Sequence, residues 1–262
     1  MKICITGTSG VIGSILAEKL DKKYDIISFK GDIRSRDDIK LCLRDQNIDV
    51  LFHLAALVPV KKVNEDPLLA YSVNVGGTIN LLEEIKRINK KPWIFYASSS
   101  HVYKSKETPL SEEDSVSPVS LYGETKWMAE KICIETAKAY NIPICCGRIF
   151  SFYHRTQKMP FLYPTIMERL KTEDLSMPLF LHEADSVRDF LNAEDVVNIM
   201  IKLMKKKYSG IVNIGSGKGV TIREFVQSLS HAKLKIINAD AKKDILISDI
   251  SKLKSIIESS DE

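Results

Sequence analysis

Lys2-Ile3-Cys4-Ile5-Thr6-Gly7-Thr8-Ser9-Gly10-Val11-Ile12-Gly13 is the stretch on which the fold turns. A short apolar run that ends in a glycine turn and passes straight into a helical period reads as a buried strand, a tight turn and a helix start. The glycines at 7, 10 and 13 let backbone come close to a phosphate, and the helix N-terminus aims N–H groups at it. A strand-to-helix turn need bind nothing. At the head of a strand-helix-strand unit, however, it reads as a dinucleotide site, with Gly7, Ser9, Gly10, Val11, Ile12 and Gly13 on the cofactor.

Working outward, β-branched runs alternate with helical periods, the pattern of a parallel sheet covered by helices. Strands are expected at Lys2–Thr6, Asp25–Lys30, Val50–Ala55, Trp93–Ser98 and Ile142–Ile149, and helices at Gly13–Lys22, Arg36–Asp45, Ala70–Asn89 and Tyr122–Tyr140. After Phe150 the pattern becomes irregular, with prolines at 160, 164 and 178 and a short helix at Thr165–Lys171. A helix at Ala193–Lys206, a strand at Ile211–Ile214 and a helix at Thr221–Ser230 follow, the last opened by Thr221 and Glu224 in capping-box spacing. The polar end, Glu258–Glu262, is expected to fray. The division expected is a dinucleotide-binding domain over 1–150 and a small substrate-binding lobe over 151–262, some of whose elements return to the first domain.

At 262 residues, 44% apolar and 27% charged, the composition is that of a soluble globular chain. A formal charge of +4 is too mild to argue for nucleic acid, and Lys205-Lys206-Lys207 reads as a solvated helix end. Five cysteines without a C-x-x-C pair suggest neither a disulfide framework nor a metal site, and Cys145-Cys146 in a buried strand reads as packing. No apolar run reaches the ~18 residues of a membrane span, and the residues before the first glycine turn lead to the expectation of no export signal. A cytoplasmic protein with no membrane partner is expected.

Tyr122 and Lys126, four apart on one helix, face the same way, so an ammonium beside the phenol would hold its pKa down for proton transfer. Ser99 falls at the end of the fourth strand, at the sheet edge where ligands sit in such folds, and its hydroxyl can bond a substrate oxygen or merely satisfy backbone.

Taken as a set these residues resemble the extended short-chain dehydrogenase/reductases, the NAD-dependent epimerase/dehydratase group that acts on nucleotide-diphosphate sugars. Thr6-Gly7-x-x-Gly10-x-x-Gly13 is similar to the cofactor turn, Gly31-Asp32-Ile33-Arg34 to the segment at the adenine, and His53-Leu54-Ala55-Ala56 to the segment beside the nicotinamide ribose. Asn74-Val75-x-Gly77-Thr78, Ala97-Ser98-Ser99-Ser100-His101-Val102-Tyr103 and Tyr122-Gly123-x-x-Lys126 continue the likeness. Arg148-x-Phe150-Ser151-x-Tyr153, Arg188-Asp189-Phe190 and Asn213-Ile214-Gly215-Ser216-Gly217 extend it through the second half. The resemblance implies a Rossmann-type doubly wound α/β fold. It implies Tyr122 as proton donor, Lys126 on the phenol and the nicotinamide ribose, and Ser99 on the reacting oxygen. Asp32, Ile33, Leu54, Ala55 and Ala56 would then meet the cofactor, and Ser100, Ser151 and Arg188 the substrate, Arg188 through its phosphates. It also implies a homodimer through Ala70–Asn89 and Tyr122–Tyr140.

Three departures narrow the function. Lys30 ends the second strand where NAD-preferring members carry an acid, which favours NADP(H), although Asp25 or Asp32 turned to the ribose leaves NAD(H) open. His101 stands where dehydratases carry a glutamate, which argues against dehydration and offers either a titrating acid/base or a bystander in the pocket wall. The stretch from Ser151 to Val187 is short, so the sugar lobe is small. A 4-keto sugar reductase is therefore expected, with a 4-epimerase holding NAD tightly, or a silent dinucleotide-binding sensor or scaffold, as alternatives.

Overall fold

The structure, a computed structural model, describes residues 1–44, 46–241 and 243–259. Its strands in chain order are β1 (Lys2–Thr6), β2 (Asp25–Ser28), β3 (Val50–His53), β4 (Trp93–Ser99), β5 (Ile144–Ile149) and β6 (Ser151–Tyr153). There follow β7 (Leu179–Leu181), β8 (Val187–Asn192), β9 (Gly210–Ile214), β10 (Gly219–Thr221), β11 (Ile236–Asn238) and β12 (Ile245–Leu246). The helices are α1 (Val11–Asp21), α2 (Arg36–Leu43), α3 (Val60–Glu65), α4 (Pro67–Tyr71) and α5 (Gly77–Ile85). α6 (Leu121–Tyr140), α7 (Leu162–Thr172), α8 (Ala193–Lys205), α9 (Ile222–Ser228) and α10 (Ser251–Glu258) complete them.

Six parallel strands lie in the order β2-β1-β3-β4-β5-β9. The chain goes from β1 outward to β2 and then crosses back to place β3 on the other side of β1. The carboxyl ends of β1 and β3 therefore splay their following loops apart, and a crevice opens there. Every residue of β3 and β5 is buried, as in a sheet covered on both faces, while the edge strand β2 is only half-buried. One face packs on α1, α8 and α10 through Leu16, Leu20, Val197, Met200 and Leu253. The other packs on α2, α5 and α6 through Ile39, Leu43, Leu82, Ile85 and Cys133. This is the Rossmann-like fold expected.

The helix expected over Ala70–Asn89 is in fact three pieces. Pro67 opens α4 with Asp66 capping Leu69 N, a π-helical turn occupies Ser72–Gly76, and α5 ends at Ile85. The wider turn lets Asn74 reach sideways, accepting from Leu57 N at 2.6 Å and donating to Thr125 Oγ1 at 3.0 Å, so that the loop after β3 is tied to α6. The second strand stops at Ser28, short of Lys30. Asp45, the expected end of α2, and 260–262 of the polar end lie outside the described residues. Beyond Phe150 the expected irregular region holds strands of two to six residues, too short for a period of two to show in the sequence. β8 pairs with β6, β10 and β12, and β7 pairs with β11, over a separate core of Ile166, Leu179, Leu181, Ile222 and Val226. The capping box at Thr221 and Glu224 is present as read.

Candidate active site

The glycine turn sits over the crevice. Gly7 has φ +77°, and a β-carbon on it would stand 2.8 Å from Ala55 N; one on Gly13 would stand 2.2 Å from Gly7 O. Only bare backbone fits. Gly10 N donates to Gly7 O at 3.0 Å, and Gly10 caps α1 without a side-chain bond to its first-turn N–H groups, which keeps donors for an anion. Beneath the turn, Thr6 Oγ1 accepts from Leu54 N and Ala55 N and meets His53 Nδ1 at 2.9 Å, while His53 Nε2 meets Thr78 Oγ1 at 3.0 Å. Thr78 gives its own proton to Asn74 O, so it accepts from Nε2–H and Nδ1 accepts from Thr6. Burial, aided by the Lys126 charge, holds this imidazole down to about 3, so it is neutral.

Across the crevice, Ser120 caps α6 through Gly123 N, and Gly123 lies so close to His101 O that a β-carbon would stand 2.1 Å away. This contact seats the first turn of α6 against the residues following β4. Tyr122, partly exposed, lines the cavity, and burial pushes its pKa up to about 12 while the Ser99 hydroxyl draws it down. Lys126 is 4% exposed, with its ammonium 4.5 Å from the centre of the Tyr96 ring. Burial lowers it to about 8 against the opposing pull of Cys133, Glu130 and Cys146. The expected depression of the phenol by Lys126 is thus not the local balance: desolvation dominates, and Ser99 is the group acting on Tyr122. The Ser99 hydroxyl also accepts from His101 N at 3.2 Å, and the His101 ring lies edge-on to Tyr122 at 5.6 Å.

Behind this trio lies a polar network that motif reading missed. Glu130 and Arg148, both under 3% exposed, form a two-pronged ion pair in which Arg148 Nη2 reaches Oε1 at 2.6 Å. Ser98 donates to Glu130, Arg148 donates to the Tyr103 hydroxyl, and Tyr103 donates to Asn213 Oδ1 at 2.8 Å. The network spans β4, β5, α6 and β9. Its sequence signal was the spacing of Tyr122, Lys126 and Glu130, one helix turn apart on one face, with a lone arginine in the apolar β5.

One cavity of about 660 Å³ joins these parts. Gly7, Gly10, Val11, Ile12, Gly13, Leu54 and Ala56 line its side at the glycine turn; Ser99, Ser100, His101, Tyr122 and Lys126 line the middle; Ser151 and Arg188 line the far side. Ser9, Lys30, Asp32, Ile33 and Ala55 lie outside that lining. Of these, Ile33 buries its side chain against Gly77, and Asp32 accepts from Arg34 N, Nε and Nη2, whose bonds hold its carboxyl below the usual range. Arg188 is not a free fork: it pairs with Glu183 and Asp244 and donates to two carbonyls. The far wall also holds Phe190, of the Arg188-Asp189-Phe190 segment, and two residues that were not expected there, Gln157 and Phe225, the two rings stacked at 4.0 Å, while Lys61 lines the cavity from α3. No aspartate or glutamate is among the described residues lining the cavity.

Comparison with known proteins identifies the family. Residues 22–259 match the family model described as GDP-mannose 4,6 dehydratase. The chain is 28% identical over 265 residues to a UDP-glucose 4-epimerase of Lactobacillus helveticus, covering 87% of this chain and 80% of that one. It is 31% identical over 238 residues to a GDP-6-deoxy-D-talose 4-dehydrogenase of Aggregatibacter actinomycetemcomitans, covering 87% and 79%. Among solved structures, the UDP-glucuronic acid 4-epimerase of Bacillus cereus, in complex with UDP-glucuronic acid and NAD, aligns with a TM-score of 0.82 at 26% identity, covering 100% of this chain and 94% of that one.

Proposed function

The chain belongs to the family described as GDP-mannose 4,6 dehydratase, within the extended short-chain dehydrogenase/reductases, and from that premise we propose that it is a 4-keto reductase of nucleotide-diphosphate sugars. The observation that carries this reading is the meeting of Ser99, Tyr122 and Lys126 with the glycine turn across one cavity. The turn fits a dinucleotide, since the space a β-carbon would fill at Gly7 and Gly13 is closed and the α1 N-terminus supplies donors to a diphosphate. When bound, the nicotinamide supplies or accepts the hydride. Gly7, Gly10, Val11, Ile12 and Gly13 hold the diphosphate side, and Lys126 the ribose. Ser99 bonds the substrate oxygen, and Tyr122 gives it a proton.

Dehydration is not the reading favoured, because His101 stands where dehydratases carry a glutamate and no carboxylate lines the cavity among the described residues. Lys30, exposed beyond β2, and an Asp32 already engaged by Arg34 support NADP(H) over NAD(H). Residues 151–262 supply the substrate wall, where Arg188 would reach a phosphate by giving up Glu183 or Asp244. Two copies would pair through α5 and α6, whose outer faces carry Ile79 and Met128. A 4-epimerase is the second reading, favoured by the Lactobacillus and Bacillus relatives.

The test is to release and identify any dinucleotide that copurifies, titrate NADPH, NADH and their oxidised forms, and follow NADPH oxidation with 4-keto sugar nucleotides. Exchangeable binding that favours NADPH by tenfold, about 1.4 kcal/mol, with turnover, is expected. Stoichiometric retained NAD would select the epimerase, and no dinucleotide binding at all would overturn both.

A further inference from the structure

Cys4 on β1 and Cys42 on α2 hold their sulfurs 3.9 Å apart, though 38 positions separate them in the chain. Cys4 is 1% exposed, whereas Cys42 is only half-buried and reachable from solvent. Both residues lead into the cofactor side of the crevice. Two residues after Cys4 comes Thr6, whose hydroxyl holds the loop at Leu54 and Ala55, and then the glycine turn. One helical turn before Cys42 comes Asp38, which packs on Gly31 and accepts from Asp32 N at 2.8 Å, fixing the segment after β2.

We propose that Cys4 and Cys42 are a redox modification site, a thiol pair that hydroperoxides convert to a reversible disulfide, and that closing this bond weakens dinucleotide binding. The affinity part rests on the dinucleotide reading above; the thiol chemistry does not. The Cys42 thiolate attacks the peroxide O–O bond, forming a sulfenic acid and releasing hydroxide, which takes a proton to become water. The Cys4 sulfur then attacks the Cys42 sulfur, the S–O bond breaks, and its oxygen leaves as a second water. Two thiols are oxidised and one peroxide is reduced. The roles follow from exposure. Either thiol can donate in this contact, and Cys42, half-buried where Cys4 is 1% exposed, is the one a peroxide reaches first. A disulfide is about 2 Å long, so bonding draws the sulfurs about 2 Å closer. Since β1 is an interior strand held between β2 and β3, α2 is the element expected to shift, and the shift would disturb the bond from Asp32 N to Asp38. Cys133, Cys145 and Cys146 are at most 2% exposed and form an internal control.

The experiment treats the full chain with hydrogen peroxide, maps disulfides by peptide mass spectrometry, and titrates NADPH and NADH before oxidation, after it, and after dithiothreitol. A Cys4–Cys42 crosslink, binding weakened about fivefold or more (about 1 kcal/mol) and recovery on reduction are expected. Cys42→Ser should bind like the reduced wild type and ignore peroxide. Cys42 passing to the sulfinic acid without a crosslink overturns the pair, and a crosslink with unchanged affinity overturns its effect on the site. Reduced protein that binds no dinucleotide overturns the functional reading and the affinity effect together, while the peptide map still judges the thiol pair.

Discussion

The wall that carries Ser99, Tyr122 and Lys126 rests on β4 and the twenty-residue α6, backed by a buried ion pair and threaded by hydrogen bonds that cross four elements. The facing wall, from Ser151 to Phe225, rests on strands of three to six residues, stacked rings and an arginine shared between two carboxylates. The first arrangement fixes atoms. The second encloses a volume with short strands and stacked rings around one buried anchor, Asp189, which accepts from Ser216 N at 2.7 Å and Gly217 N at 3.0 Å. The difference suits a division of labour in which one wall performs an invariant proton transfer and the other selects the molecule presented to it.

The largest effect should come from Tyr122→Phe. It removes one hydroxyl from the chemical wall and nothing from the packing, so kcat should fall by about 10²–10⁴-fold, with dinucleotide affinity and melting temperature little changed. Retained turnover would place the proton donor elsewhere, His101 being the neighbour to test. Next comes Glu130→Ala, which leaves Arg148 charged and unpaired at 2% exposure. A loss of about 3–5 kcal/mol in urea unfolding is expected. Arg223→Ala in the facing region, where the Asp185 pair is roughly two-fifths exposed, should cost no more than about 1 kcal/mol. Equal losses at the two sites would erase the contrast between the walls.

Acid should also act beneath the glycine turn, facing the wall of Tyr122. His53 is held to about 3 in the folded chain, against 6.5 unfolded, so below pH 6.5 the unfolded chain takes up a proton that the native one refuses. Its contribution to stability is complete above pH 6.5 and is lost progressively as the pH falls toward 3. Urea unfolding should therefore lose about 2 kcal/mol between pH 6.5 and 5 from this residue. His53→Gln should flatten that window even if it lowers stability at neutral pH. An unchanged pH slope would mean that His53 does not stay neutral.

The two walls were also unequally legible. The glycine turn, Ser99 and the Tyr122–Lys126 pair lie in short contiguous segments whose spacing alone orients them, and they converge in the structure as expected. Lys126 over Tyr96 was hidden, because it depends on α6 packing across β4, and the same burial reverses the expected direction of the Tyr122 pKa. The partners of Arg188 were hidden more deeply. Asp244 reaches it through the β12–β8 pairing of two-residue and six-residue strands, and nothing local in the sequence announces that register. Phe225 falls in the helix expected over Thr221–Ser230, but its place against Phe190 in the cavity wall depends on β8, which was quoted as a motif and not read as a strand.

Phe225→Leu tests the pliable wall where the contrast predicts the smallest effect. Phe225 stacks on Phe190 with planes 13° apart and meets Tyr153 edge-on at 5.3 Å. Leucine keeps an apolar side chain there and loses the ring contacts, worth about 0.5–1.5 kcal/mol. If these rings shape the substrate's seat, KM should rise by about two- to tenfold with kcat nearly constant, since binding is lost equally from ground and transition states. Such a split is the opposite of the one expected for Tyr122→Phe. A fall in kcat of a hundredfold would instead mean that the aromatic wall positions the reacting carbon against Ser99 and Tyr122, and that placement at the proton donor depends on both sides of the cavity together.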